Sequence, residues 1–282
     1  MPGTLFVVAT PIGNLEDITV RALRVLGEVA VIAAEDTRRT AHLLARHAIA
    51  TPTTSLHEHN ERSKSASLVT RLQRGDHVAL VSDAGTPTIS DPGGRLIREA
   101  ISAGIRVEAI PGPSAVLTAL AASGLPTDAF SFLGFPPTKS KDRKKWFLRA
   151  GQVAGTLVFF EAPHRIRATL KELYLIAGNC QIAIGRELTK LHEELVRGQI
   201  LDVLDGPLEE RGEFTVVVFI GDITDNELPA APSPSELVTE FCDMTVNREK
   251  TRRQAIGILA RKHGFSPNAI YAVLEAAKKS GK

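Results

Sequence analysis

The sequence predicts an α/β protein with two α/β domains, a mostly parallel sheet in the first and a mixed sheet in the second, and a small C-terminal helical domain. Three observations support this fold class. Short apolar runs alternate with amphipathic stretches of helical period. Each early run ends in a polar or Gly/Pro-rich cluster, and a Pro-rich segment separates a basic C-terminal block from the rest of the chain.

The first domain is expected to span residues 1–124. Its five apolar runs occupy residues 5–9, 29–33, 52–56, 78–81 and 105–110, and a helix of small residues is predicted at 113–123. In an open parallel sheet the carboxyl ends of the strands meet at one edge, where ligands bind. Because a polar or Gly/Pro-rich cluster follows each run, the sequence predicts a ligand site at that edge.

The second domain is expected to span residues 125–224 and to close a cleft against the first. Apolar runs predict strands at residues 130–135, 156–160, 181–188, 194–200 and 214–220, with a helix at 163–176. Only a short break separates the third and fourth of these strands. This predicts an antiparallel pair and therefore a mixed sheet.

The rest of the chain divides by composition into a linker at residues 225–234 and a helical extension at residues 235–282. Helical segments are predicted at 235–242, 248–263 and 266–279, and the last two resemble a helix-turn-helix pair. Residues 246–282 carry nine Lys/Arg and two acids, against a net charge of +2 for the whole chain. Such a block predicts a polyanionic partner, most simply nucleic acid, whereas the alternative is a solvated helical surface.

A second basic feature lies at residues 139–149, where six Lys/Arg surround Trp146. Phosphate contacts and an aromatic side chain would suit RNA. The alternative is a surface helix with Trp146 and Phe147 packed inward.

The overall composition, 43% hydrophobic and 23% charged, is that of a soluble globular protein. Cys180 and Cys242 have neither metal-ligand nor disulfide spacing, which favours a reducing cytoplasm. The first residues lack a basic signal-peptide region, and the apolar run after them is too short to span a membrane. No membrane association is expected.

Two loops have the chemistry of a ligand site. Gly85, in Asp83-Ala84-Gly85-Thr86-Pro87, would let a ligand approach the backbone closely, and residues 111–114 open a helix whose free N–H groups would accept a carboxylate. Neither a dinucleotide fingerprint nor a P-loop is present. The sequence therefore predicts a nucleoside-like ligand without a triphosphate-binding Lys, although either loop alone is more often a plain turn.

The same clusters, in this order, resemble the tetrapyrrole methylase superfamily, and within it the branch that methylates small-subunit ribosomal RNA. The motifs lie at residues 10–15, 34–38, 57–61, 82–87 with 91–93, 111–115, 132–136, 160–165, 185–190 and 212–215. The resemblance covers the chain to residue 222, and the C-terminal helices resemble the extension of this branch. Porphyrinoid methylases carry Gly-Asp-Pro in the loop that holds Gly85, and this departure argues against a porphyrinoid substrate.

The resemblance implies S-adenosylmethionine as methyl donor, without a metal, in the cleft of a homodimeric enzyme. It implies transfer to the ribose 2′-hydroxyl of cytidine 1402 in 16S rRNA, as free RNA or in the small ribosomal subunit. Carried over residue by residue, the donor-binding positions are Pro11, Asp83, Ala84, Gly85, Ile89, Ser114, Ala115, Phe160, Glu161, Leu188, Phe214 and Thr215.

A 2′-hydroxyl is a poor nucleophile until it loses its proton, so a nearby carboxylate or imidazole is expected. The catalytic candidates are Asp36, His59 and Glu187, with Glu61 and Lys190 also considered. Asp36 follows a strand directly, and its alternative role is the N-cap of the next helix. Expected RNA-binding residues are Arg38, Asn60, Lys144, Arg186, Lys190, Arg252 and Arg253.

Two sets of these side chains have a second interpretation. His57 and His59 alternate along the chain as metal ligands can, but a third convincing ligand is missing from the sequence. Arg186, Glu187 and Lys190 also have the composition of a simple ion-pair network.

Three functions compete on the sequence alone. The first is rRNA ribose methylation, the second is methylation of a small precorrin-like substrate, and the third is non-catalytic RNA binding with a vestigial cleft. The second predicts activity without the basic C-terminal helices, and the third predicts RNA binding without donor binding. The intact cleft motifs together with the additional basic elements favour the first.

Overall fold

The computed structural model describes residues 1–150, 155–221, 234–247, 251–262, 270–271, 273–275 and 277. The chain forms two compact units, Met1–Asp222 and Ile223–Lys282. The first unit contains two five-stranded sheets, and the described part of the second is helical. The predicted fold class is confirmed.

The first sheet is parallel throughout and has the strand order β3-β2-β4-β1-β5. The carboxyl ends of the central strands β1 and β4 therefore lie side by side. The strands are β1 Thr4–Val8, β2 Val31–Ala34, β3 Thr53–Ser55, β4 Val78–Val81 and β5 Arg106–Ile110. The helices that follow them are α1 Val20–Glu28, α2 Thr37–Arg46, α3 Glu61–Gln73, α4 Gly94–Ser102 and α5 Ala115–Ser123.

Strands β2 and β4 are buried along their whole length because helices cover both faces of this sheet. On one face, Leu26 of α1 and Leu44 of α2 pack against the sheet. On the other face, Leu72 of α3 and Leu96 of α4 do the same. Both sequence runs are continuously apolar, as a strand buried on two faces requires.

The second sheet is mixed, as predicted, with the strand order β6-β7-β10-β8-β9. Strands β6 and β7 are parallel, and the other pairs are antiparallel. The strands are β6 Phe130–Phe132, β7 Thr156–Glu161, β8 Gln181–Arg186, β9 Glu194–Gln199 and β10 Phe214–Phe219. The remaining helices of this unit are α6 Ser140–Ala150, α7 Ile166–Ala177 and α8 Ile200–Asp205.

Helix α5 belongs to both halves of the first unit. It follows the last strand of the first sheet in the chain, yet its apolar side chains pack on the second sheet. This contact joins Val116, Ala119 and Leu120 of the helix to Val158, Ala183 and Val217 of the sheet. The start of α5 is thereby held between the two sheets.

Several boundaries differ from the sequence prediction. The strand predicted at 130–135 ends at Phe132, because Gly134 adopts a left-handed conformation (φ 67°) that turns the chain. The strand predicted at 194–200 ends at Gln199, and α8 begins at Ile200. The helix predicted at 163–176 opens with a 3-10 turn, Pro163–Arg165.

The second unit contains α9 Pro234–Cys242, a π-helical turn Asp243–Asn247 and α10 Arg252–Lys262. Its described core includes Leu237, Leu259, Ile270 and Leu274. The predicted linker, apart from Pro234, and the junction at 264–267 lie outside the described residues, as does most of the helix predicted at 266–279.

Helix α6 matches the structural alternative for the basic segment at 139–149. Phe147 is buried, and Trp146 packs against it with ring centroids 5.0 Å apart. Arg143 is also buried, with 6% of its side chain exposed, and binds both carboxylate oxygens of Glu172 on α7 at 2.8 and 2.9 Å. Lysines 139, 141, 144 and 145 are exposed and remain available to a partner.

We expect the Arg143→Met variant to lose about 1–3 kcal/mol of unfolding free energy, because it leaves the partly buried Glu172 carboxylate without its cation. Arg149→Met is the matched control, since Arg149 is exposed on the same helix and should change stability by less than about 0.5 kcal/mol. Urea denaturation at pH 7 measures both. Equal stability of the two variants would contradict the role of the pair.

The difference in unfolding free energy between wild type and Arg143→Met should depend on pH. Burial raises the pKa of Glu172, but hydrogen bonds from Arg143 and Ser140 outweigh burial and lower the pKa overall. The stabilisation is therefore complete above the unfolded-state pKa of about 4.3 and is lost as the pH falls through the lower folded-state pKa. The stability gap between wild type and Arg143→Met should narrow below about pH 4 in urea titrations. A gap that stays constant to pH 3 would contradict this account.

Candidate active site

A cavity of about 310 Å³ lies where the strand ends of the first sheet face the second sheet. Its volume falls within the range typical of small-molecule sites. The wall is mostly apolar, with hydroxyl and carboxyl groups at a few points. It is formed by Ile12, Ala84, Gly85, Thr86, Ile89, Ser90, Asp91, Ser114, Ala115, Val116, Phe135, Phe160, Glu161, Ala162, Pro163, Gly212, Glu213, Phe214 and Thr215.

The loop after β4 is fixed to the loop after β1 by a pair of backbone hydrogen bonds. The Thr10 N–H donates to the Gly85 carbonyl, and the Gly85 N–H donates to the Thr10 carbonyl, both at 2.9 Å. Gly85 has a φ of 74°, a conformation that side chains other than glycine rarely adopt. A Cβ built there would contact the Ile12 side chain at 3.5 Å, so strain and lost cavity space, rather than a clash, require the glycine.

The start of α5 supplies hydrogen-bond donors to the same cavity. Ser114 is the N-cap residue in an extended conformation, and its side chain makes no capping hydrogen bond to the helix. Ser114 and Ala115 both line the cavity. The first N–H groups of a helix have no partner within the helix and favour an anionic group.

The second sheet contributes an aromatic wall. The ring of Phe160 contacts Phe132 and Phe135, with centroid distances of 5.0 and 5.3 Å. Phe214 and Thr215, at the start of β10, complete this side. Such an apolar, aromatic surface suits a planar ring.

Glu161 lines the cavity, but its carboxylate is satisfied within the protein. It accepts hydrogen bonds from the Ala162 N–H and the Thr169 hydroxyl, each at 2.6 Å, and pairs with Arg165 at 2.6 Å. Its side chain is fully buried. Glu161 therefore fixes the end of β7 against α7 and forms a neutralised part of the wall.

Nine of the twelve donor-binding residues expected from the sequence line this cavity: Ala84, Gly85, Ile89, Ser114, Ala115, Phe160, Glu161, Phe214 and Thr215. The other three lie elsewhere. Leu188 packs in the apolar contact between α5 and the second sheet. Pro11 and Asp83 line a second cavity of about 250 Å³, formed by the loops after β1 and β4 together with α2.

The second cavity has charged and polar side chains in its wall. Besides Pro11 and Asp83, its wall includes Arg39, Thr40 and His42 of α2. The loop after β4 contributes to both cavities, with Asp83 in the second and Ala84 in the first. Arg39 lies 3.6 Å from the Asp83 carboxylate.

Asp36 is the N-cap of α2, which was the alternative to a catalytic role in the sequence analysis. Its carboxylate accepts a hydrogen bond from the Arg38 backbone N–H at 2.9 Å and pairs with the Arg38 guanidinium at 2.7 Å. Hydrogen bonds from Arg38 lower the pKa of Asp36 to about 2. An acid with so low a pKa is a weak proton acceptor near neutral pH.

A group of carboxylates lies at the ends of β2 and β4. Burial raises the pKa of Glu35, whose side chain accepts a hydrogen bond from the Asp83 N–H. Burial also raises the pKa of Asp91 to about 6, with the negative charges of Glu35 and Asp83 adding to the effect. Asp91 lines the first cavity. The Asp91-Pro92-Gly93 motif was visible in the sequence, but nothing local marked this carboxyl as functional.

Glu187 and Lys190 belong to an ion-pair network. On the sequence alone, such a network was the alternative to roles in catalysis and RNA binding. Lys190 binds Glu187 at 2.9 Å and Glu213 at 3.0 Å, while Arg186 pairs with Glu194 at 2.9 Å. Burial raises the pKa of Glu187, but the bonds from Lys190 and the Glu213 N–H lower it overall. Burial lowers the pKa of Lys190, and its two carboxylate partners more than offset this and raise it.

The segment after β3 contributes structural hydrogen bonds. Asn60 accepts from the His57 N–H at 2.9 Å and donates to Ser55. Glu61 accepts from the N–H groups of Gly93 and Arg95, at 3.1 and 2.8 Å, and so caps the start of α4. His59 is exposed, with its ring 6.0 Å from that of His57.

The remaining expected RNA-binding residues lie on two helices. Lys144 is exposed on α6. In the second unit, Arg252 pairs with Glu275 and lies 5.5 Å from the Tyr271 ring centroid, and Arg253 follows it on α10. Within the described ranges, no helix is long and apolar enough to span a bilayer. The same part of the chain contains no group of three or more His, Cys, Asp or Glu arranged to hold a metal ion.

Comparisons with solved structures agree with the fold. Uroporphyrin-III C-methyl transferase from Thermus thermophilus, complexed with S-adenyl homocysteine, superposes with a TM-score of 0.56 at 19% identity, covering 77% of this chain and 97% of that one. Diphthine synthase superposes with a TM-score of 0.62 at 14% identity, covering 77% and 90%.

Sequence comparisons are more specific. The family model for Tetrapyrrole (Corrin/Porphyrin) Methylases matches residues 4–203. A Halalkalibacterium halodurans protein is 49% identical over 218 residues, 77% of this chain and 75% of that protein. A Vibrio cholerae protein is 42% identical over 273 residues, covering 95% and 92%. The chain therefore belongs to the tetrapyrrole methylase family, and within it to the group of these two relatives, both named Ribosomal RNA small subunit methyltransferase I.

Proposed function

We propose that the protein uses S-adenosylmethionine to methylate the ribose 2′-hydroxyl of cytidine 1402 in the 16S rRNA of the small ribosomal subunit. The observation that carries this proposal is the apolar cavity between the two sheets, lined by nine of the expected donor-binding residues. The names of the two relatives support ribosomal RNA as the substrate.

The residues of the cavity fit the methyl donor. Phe160 and Phe214 offer an apolar surface to the adenine ring, and the open N–H groups at Ser114 and Ala115 suit the carboxylate of the methionine part. Gly85 leaves the backbone accessible. When bound, the donor supplies an electrophilic methyl group on a positively charged sulfur, so the protein has only to align the acceptor oxygen and remove its proton.

The acceptor side of the site is proposed to lie toward α2. Arg38 is the phosphate-binding candidate there, because its guanidinium is exposed while Asp36 fixes its orientation. Asp36, His59 and Glu187 stay as the proton acceptors proposed from the sequence. Two of them are paired with cations, since Arg38 binds Asp36 and Lys190 binds Glu187.

The basic elements favour RNA over a small precorrin-like substrate. The exposed lysines of α6 and the nine Lys/Arg of residues 246–282 serve no purpose for a small molecule held inside the cleft. The intact cavity in turn disfavours a purely RNA-binding protein. We also propose a cytoplasmic homodimer, as the family resemblance implies, which sedimentation equilibrium tests.

The direct test of the function is to map ribose methylation of small-subunit rRNA in cells that lack this protein. We expect loss of the 2′-O-methyl group at cytidine 1402 and its return when the gene is restored. Retention of that methyl group in the deletion strain would contradict the proposed substrate.

We expect Gly85→Val to lower the affinity for S-adenosylmethionine at least about tenfold, because a branched side chain enters the cavity at a positive φ. Isothermal titration calorimetry measures this. Gly104→Val is the matched control, since Gly104 also has a positive φ (70°) but open space around it and lies outside the cavity wall. Unchanged affinity in folded Gly85→Val would show that the donor does not bind in this cavity.

Truncation after Ala231 should leave donor affinity unchanged and weaken RNA binding. It removes the basic block and none of the cavity residues, and the first unit is compact by itself. Filter binding over a range of salt concentrations should show a smaller salt slope, because fewer phosphate contacts release fewer counterions. Loss of donor affinity in a folded truncated protein would contradict this division of roles.

A further inference from the structure

The loop after β4 has a second unusual feature beyond Gly85. Thr88 and Ser90 both have positive φ values, 73° and 66°, although neither is glycine. Such conformations cost free energy and persist only where the surrounding structure enforces them, often at functional sites. The loop is enforced from its far end, where Glu61 binds the N–H groups of Gly93 and Arg95.

The strained segment delivers Asp91 to the wall of the first cavity. Three carboxyl groups line this cavity among the described residues, and they differ in their partners. Glu161 is paired with Arg165, and Glu213 is paired with Lys190. Asp91 has no cation at ion-pair distance in the described ranges, and the nearby Ser82 hydroxyl favours its ionised form.

We propose that Asp91 takes the proton from the acceptor hydroxyl during methyl transfer. This inference rests on the proposed function. The acceptor oxygen forms a bond to the methyl carbon as the carbon–sulfur bond breaks, and sulfur keeps the electron pair of that bond. The hydroxyl proton passes to a carboxylate oxygen of Asp91 and from there to water.

The charged surroundings of Asp91 suit this role. Glu35 at the end of β2 and Asp83 after β4 face it with negative charge, and Arg39 of α2 is engaged by Asp83. At the other end of the loop, Glu61 accepts a hydrogen bond from the Arg95 backbone N–H, and the Arg95 guanidinium donates to Glu99 on α4. Burial and the two acids raise the pKa of Asp91 to about 6, so the group is ionised at neutral pH yet basic enough to accept a proton.

Asp36 and Glu187 are less suited to the same step. Cationic partners lower the pKa of both groups, which weakens them as bases. Neither is part of the wall of the first cavity as the described residues form it. Asp36 instead fixes Arg38, a role in positioning RNA.

The test is the pH profile of single-turnover methyl transfer at saturating donor and RNA, between pH 5 and 8.5. For wild type we expect the rate to rise about tenfold per pH unit below about pH 6 and to level off above it. Asp91→Asn should lower the plateau rate about 10²–10⁴-fold and abolish the acidic limb, which is the fall of the rate below about pH 6. Calorimetry should show unchanged donor affinity. Asp91→Glu should restore part of the rate together with the limb.

Two further variants separate proton transfer from a structural role. Ser82→Ala should shift the acid-side fall of the rate to higher pH, because it removes a nearby hydroxyl that favours the ionised Asp91 carboxylate. Asp36→Asn should lower the rate through weaker RNA positioning but keep the limb. Asp91→Asn is expected to fold, since the amide has the same shape and relieves repulsion from Glu35 and Asp83; thermal unfolding checks this.

The outcomes are distinct. An unchanged limb or a near-normal rate in Asp91→Asn overturns the inference and leaves the proposed function intact. If Asp36→Asn loses the acidic limb and Asp91→Asn keeps it, the proton acceptor is Asp36. This result also overturns the inference. Absence of methyl transfer by wild type refutes the proposed function, and the inference fails with it.

Discussion

The reciprocal backbone hydrogen bonds between Thr10 and Gly85 hold the site together. They tie the loop after β1 to the loop after β4, which the strand order already brings side by side. With the loop after β4 fixed, Ala84 faces one cavity and Asp83 the other. The left-handed conformation of Gly85 makes this geometry possible, and the Thr10 hydroxyl adds a hydrogen bond to the Ser82 carbonyl at 3.3 Å.

Helix α5 extends this constraint to the second sheet. Its apolar face is buried against that sheet, while its first turn opens into the cavity. The position of the helix start is therefore set by packing at positions such as Leu120, a turn further along the helix. The Asn14 N–H adds a second link between the halves by donating to the Thr189 hydroxyl at 3.0 Å.

The sequence predicted the strands well because their apolar runs are short and sharply bounded. It failed where a run crosses an element boundary, as at Ile200, whose side chain is equally apolar in a strand or a helix. For Asp36 it offered two roles, and the cap is visible because it needs only the N–H of Arg38, two residues on. Asp91 was missed because its surroundings come from distant segments, notably Glu35.

The carboxyl groups of the site fall into two classes that follow from their partners. Glu161 and Glu187 accept several hydrogen bonds and a cation each, so their charge is stabilised and they hold elements in place. Glu35 and Asp91 have acidic neighbours and are partly buried, so their charge is disfavoured. A group whose charge is disfavoured binds a proton more readily, and chemistry at a hydroxyl requires that property.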